Sequence, residues 1–313
     1  MFRGSWNTDG VTKIRSRSSS RVRDRRGASG GGGGGFGFPL GGGGGGGGIP
    51  IKAGGGIIGL LILAAVVILP QLLGSGGDGS GNSALTPAGD DASGPTACET
   101  ELEQVVCGAV DDVSIYWEEQ FPVSFQGAFP GTDTVFFSGA TTTGCGRASA
   151  QTGPFYCPAD QLVYFDLDFL QQLQENFGAT GDLAAQYIVA HEYGHHVQNV
   201  TGINDRVRTI QQQSPDVANE FSVALELQAD CFAGAWASSV AERDLFDRPE
   251  EIEEALAAAE AVGDDRIMES AGQEVNPESF THGSAEQRRT WFETGFTSGD
   301  PEECRTFNGA LAP

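Results

Sequence analysis

Residues 53–73 carry no charge, and IIGLLILAAVVIL runs unbroken from Ile57 to Leu69. About 20 apolar residues in a helix cross the hydrocarbon core of a bilayer, so the stretch predicts one transmembrane helix. A buried core helix would show polar residues at helical spacing, and Ile57–Leu69 has none. A cleaved signal peptide would start near the N-terminus and be shorter in its apolar part. Four parts follow: a tail at 1–52, the span at 53–73, a linker at 74–97 and a folded domain at 98–313.

Charge divides along the same line. Residues 1–52 hold nine of the 18 Lys/Arg but only Asp9 and Asp24 of the 42 acids, and no lysine follows Lys52. By the positive-inside rule the tail is expected in the cytoplasm and the domain outside, in a single-pass cell-membrane protein. The acidic domain disfavours nucleic acid as a partner. All six cysteines (Cys98, Cys107, Cys145, Cys157, Cys231, Cys304) fall after the apolar run, where an oxidising compartment permits disulfides. Fifteen pairings are possible. The short gaps favour Cys98–Cys107 and Cys145–Cys157, which leaves Cys231–Cys304. No CxxC or similar tight ligand pair points to a zinc finger.

The flanks of the apolar run are low in complexity. Residues 27–48 are mostly glycine and cannot bury enough surface to offset their ordering entropy, so the tail is expected to be disordered. Residues 74–96, rich in Gly, Ser, Asp and Pro, read as a tether. Within the domain, helices are expected over Leu102–Phe121 (stopping at Pro122), Phe169–Phe177, Asp182 to about Gly202, a long stretch after Pro215, Glu251–Val262 and Ala285–Phe296. Ser284 and Gln287 form a capping-box pattern before the last. Strands are expected at Thr134–Ser138 and Leu162–Asp166. Few strands among several long helices indicate α+β.

The chemistry concentrates in His191-Glu192-Tyr193-Gly194-His195. Residues four apart lie on one helix face, so both imidazoles reach one ion. Glu192 is then placed to meet a metal-bound water and take its proton as the water attacks a carbonyl. Only four histidines occur, and three of them are His191, His195 and the adjoining His196. His196 points about 100° away from His195, which favours packing over ligation. Tyr193 reads as a core residue. Gly194 weakens the helix by about 1 kcal/mol relative to alanine, a cost that close approach of another backbone would explain.

A catalytic zinc takes a third protein ligand. The HExxHxxGxxH continuation is absent, because Gln198 and Thr201 occupy its last two fixed positions. Glu226, Asp230 and His282 are the candidates. Glu226 and Asp230 stand four apart in ELQAD, so one could bind metal while the other accepts the free N–H of a ligand histidine. His282 could donate to an oxyanion or tie down the last helix.

HEYGHHVQ, ELQADCFAG, THGSAEQR and the upstream GPFYCPAD together resemble the neutral zinc metallopeptidases of bacteria over about residues 98–313. The resemblance implies a zincin-like fold in which His191, His195 and Glu226 bind Zn2+, Glu192 is the general base and Asp230 supports a ligand histidine. It implies a membrane-anchored endopeptidase acting on peptide or protein substrates. An extended substrate is expected beside an edge strand, with Tyr164-Phe165 in the strand favoured for it. The rival class is a non-catalytic, zinc-stabilised envelope scaffold, against which the intact Glu192 argues.

Overall fold

The computed structural model describes residues 14–26, 97–149, 152–170, 182–246 and 251–307. The expected span at 53–73, the glycine-rich segment and the linker up to residue 96 lie outside these, as does most of the helix expected at Phe169–Phe177. Among the described residues no helix is long and apolar enough to cross a membrane.

Helix α1 spans Glu101–Ser124 and opens on a capping box between Thr100 and Glu103. It runs through Pro122 instead of stopping there. Proline in the last turn forfeits one hydrogen bond, and that loss is offset where Phe121 packs at 5.1 Å from Phe125 and 5.5 Å from Phe129. Helix α2 is Asp182–Val200, α3 is Ile203–Gln213 and α4 is Ala218–Glu242. The expected α5, Glu251–Ala261, is followed by a short α6, Asp264–Ser270, that carries too few apolar residues to announce itself. Helix α7, Ala285–Ser298, has the predicted Ser284–Gln287 box.

Among the described residues, six short strands complete an α+β fold: β1 Val22–Asp24, β2 Thr134–Phe137, β3 Ala140–Thr143, β4 Gly146–Ser149, β5 Phe155–Cys157 and β6 Leu162–Asp166. One sheet has the order β1-β2-β6-β5, parallel except for β5, and β3-β4 is a separate hairpin. Alternation divides β6 between two cores, because successive side chains face opposite sides of a sheet. Val163 and Phe165 join the helical core, while Tyr164 packs with Val135, Phe137 and Cys157. The strand holding Tyr164-Phe165 is therefore internal, and the edge beside α2 is β5. This corrects the expected substrate strand.

Two further findings bear on the sequence reading. All three favoured disulfides are present: Cys98–Cys107, Cys145–Cys157 and Cys231–Cys304. Residues 14–26, in contrast, do not behave as a disordered tail, since β1 is a strand of the main sheet.

Helices α4 and α7 meet backbone to backbone. A Cβ on Gly295 would lie 1.9 Å from the Cys231 carbonyl oxygen, and one on Gly234 would lie 2.1 Å from that of Phe292. This contact sets where α7 delivers its side chains into the space between α2 and α4.

Candidate metal centre

The three helices converge on the HEYGH segment. A Cβ on Gly194 would stand 3.0 Å from Ala229 Cα and 3.2 Å from its carbonyl oxygen, so the missing side chain lets α4 lie against α2. Glu226, one turn before Ala229, then reaches both histidines. Its carboxylate oxygens are 3.2 Å from His191 Nε2 and 3.5 Å from His195 Nε2. One donor atom from each of His191, His195 and Glu226 lies within 4.8 Å of the others. A carboxylate and two imidazoles at this spacing suit zinc.

Both rings are held from behind. His191 Nδ1 lies 2.8 Å from Asp230 Oδ1, and His195 Nδ1 lies 2.9 Å from Gln198 Oε1. The Gln198 amide nitrogen donates to the Leu225 carbonyl at 2.7 Å, which fixes its oxygen toward His195. With oxygens facing both Nδ1 atoms, protons on those atoms would leave the Nε2 lone pairs for an ion shared with Glu226. Glu192 sits beside this cluster, buried, near the Tyr156 backbone N–H. Burial pushes its pKa up, against the pull of His195 and His191. A raised carboxylate pKa suits a group that must take and return a proton.

Asp230 is fully enclosed, with 0 % exposure. It accepts from the Tyr187 hydroxyl and His191 Nδ1, and from Arg288 through Nε and Nη2, both at 2.8 Å. Burial alone would raise its pKa, but Arg288 and then His191 hold it below the ordinary carboxylate range. A two-pronged guanidinium fixes the carboxylate plane as a point charge does not. Arg288→Lys is therefore expected to weaken zinc binding by roughly 10- to 100-fold, the usual cost of losing a group behind a ligand. Competition against a chelator of known affinity measures this. Unchanged affinity would mean that Asp230 holds His191 unaided.

Neither Arg288 nor Tyr187 was singled out in the sequence. Tyr187 stands one turn before His191 on α2, and Arg288 lies inside SAEQR, so position relative to the motifs was the available signal. The remaining candidates separate by contact. Tyr193 is buried away from the cluster, near Ser114 Oγ at 3.3 Å, and is a core residue. His196 packs edge-on against Phe129 and Tyr156, and burial pushes its pKa down to about 4, so it stays neutral. His282 Nδ1 lies 3.2 Å from Asp264 Oδ1. The other oxygen of Asp264 accepts the backbone N–H groups of Thr281, His282 and Gly283. His282 is thus tied structurally, while its charge is also felt by Glu226.

The family model described as "Putative neutral zinc metallopeptidase" matches residues 12–307. Among curated proteins, "Uncharacterized protein YpfJ" of Escherichia coli K12 is 42% identical over 212 residues, covering 67% of this chain and 72% of that one. "Uncharacterized protein Rv2575" of Mycobacterium tuberculosis H37Rv is 49% identical over 184 residues, covering 56% of this chain and 61% of that one. No solved structure matches the chain.

Proposed function

Because this chain belongs to the neutral zinc metallopeptidase family, we propose that it is a zinc-dependent endopeptidase with a zincin-like domain. The convergence of His191 Nε2, His195 Nε2 and a Glu226 oxygen, with Glu192 beside them, carries the proposal. His191, His195 and Glu226 would hold the ion. A bound zinc supplies Lewis-acid polarisation of a carbonyl and acidifies its water towards neutral pH. Glu192 would take the proton of the water that attacks the carbonyl and pass it to the amine released as the C–N bond breaks.

Strand β5 pairs only with β6 among the described residues, so its outer edge is available to an extended peptide. Main-chain pairing there would bring the scissile bond beside Glu192 with little demand on side chains. The Cys145–Cys157 bridge stiffens this edge by tying β5 to the residues between β3 and β4. His282 is assigned to the developing oxyanion, with Asp264 holding its far nitrogen. Three disulfides support an oxidising, extracytoplasmic compartment for the domain.

Incubation of the purified chain with a diverse peptide mixture tests the proposal. Cleavage should vanish on chelation and return with stoichiometric zinc. A chain that binds about one zinc yet cleaves nothing would instead be the zinc-stabilised envelope scaffold.

A further inference from the structure

Residues 14–26 make the contacts of an integral element. β1 pairs in parallel with β2, Val22 opposite Thr134 and Asp24 opposite Phe136. The ladder continues on both sides, with Thr134 N donating to Arg21 O at 2.8 Å and Arg25 N to Phe136 O at 2.9 Å. Upstream, Ser16 N donates to Gln104 O at 2.9 Å and Gln186 Nε2 to Ile14 O at 3.1 Å. Ile14 is 5% exposed and part of the main core. Helix α1 has a glycine where this backbone crosses: a Cβ on Gly108 would lie 2.7 Å from Arg15 Cα and from Ile14 O.

Charge follows the same path. Arg15 pairs with Asp182 at 2.6 Å, at the start of the helix that carries His191. Arg21 pairs with Glu118, Arg23 with Asp133 and Arg26 with Glu103. Exposed ion pairs contribute little each, but Arg15–Asp182 and Arg26–Glu103 are partly buried. These two pairs, the backbone bonds and Ile14 supply the docking, and the arginines match an acidic surface.

A strand and the sheet it hydrogen-bonds to cannot face opposite sides of a hydrocarbon layer about 30 Å thick. Nor does charge demand it. The positive-inside rule counts residues within roughly 15–20 positions of a span, and Lys52 is the only basic residue that near on the N-terminal side of residue 53. The arginines from Arg15 to Arg26 lie further off, and four of them are neutralised by the domain. We infer that residues 14–26 are a constitutive strap of the 97–307 domain and share its side of the membrane, so that residues 53–73 do not divide the chain into a cytoplasmic tail and an external domain. On this inference the expected separation of residues 14–26 from the domain by the membrane does not hold, whichever side the two share.

Two measurements on the full chain decide it. No cysteine of the native chain is free, so one introduced cysteine is the sole reactive thiol. Ser18→Cys in the strap and Glu286→Cys on α7 both replace exposed residues. In intact cells a membrane-impermeant maleimide should label both or neither, relative to labelling after denaturation. Labelling of one in intact cells and of the other only after permeabilisation would overturn the inference. For docking itself, Arg15→Glu should raise tryptic cleavage at Arg21 and Arg23 at least tenfold, and adding Asp182→Arg should restore protection. Equal cleavage in the native chain and Arg15→Glu, or no rescue by the pair, would overturn it as well.

Discussion

Glu192→Gln should leave about one zinc per chain and a folded domain, while peptide turnover falls by roughly 10²- to 10⁴-fold, the usual worth of a general base. Glutamine has nearly the same size, and its oxygen can still meet the water. What it lacks is the ability to accept a proton from water. Glu226→Ala separates metal binding from base catalysis. It deletes one of the three converging donors, so zinc affinity falls first and part of the activity returns as zinc is raised. Excess zinc should rescue nothing in Glu192→Gln. Zinc stoichiometry and peptide cleavage on both variants provide the check. Unchanged cleavage in Glu192→Gln would place the activity elsewhere and remove the mechanism.

Much of the site was legible because its signals are local. His191, Glu192 and His195 share one helical turn, ELQAD sets Glu226 and Asp230 one turn apart, and each sits on a long periodic helix. Gly194 was readable as a place of close approach, and Ala229 is the backbone that comes near. Other features are set by long-range partners. The 14–26 strap is rich in Arg and Ser, and nothing in its composition announces that Asp182, Glu118 and Glu103 await it from elsewhere in the chain. Strand β5 has three residues, too few for a period-two pattern, so the edge was assigned to the longer and more apolar β6. Nothing in the sequence around Arg288 sets it apart from the other charges of α7; only the fold reveals that it is 3% exposed against Asp230.

Gly295→Ala should be among the most damaging single methyl additions in the domain. The new Cβ would lie 1.9 Å from the Cys231 carbonyl oxygen and 2.9 Å from Ala235 N, both backbone atoms that no rotamer change can move. Relief requires α4 and α7 to separate by about an ångström, the shortfall from ordinary contact, and overpacking of this kind costs about 1–3 kcal/mol. The site adds to that cost. Arg288 is two turns before Gly295 on α7, and Asp230 directly precedes Cys231 on α4. Separation would stretch their 2.8 Å hydrogen bonds beyond bonding range. A broken buried ion pair costs on the order of 3–5 kcal/mol, because each charge is left without its partner. Urea unfolding of the zinc-free variant should therefore show a loss at or above that range, and zinc affinity should fall with it because His191 loses its fixed support. Thr290→Ala, on the exposed side of the same helix, removes only a bond to the Glu286 carbonyl and should change stability by about 0.5 kcal/mol or less. If Gly295→Ala unfolds at nearly the native urea concentration with zinc affinity intact, then the α4–α7 crossing does not set the position of the Asp230–Arg288 pair.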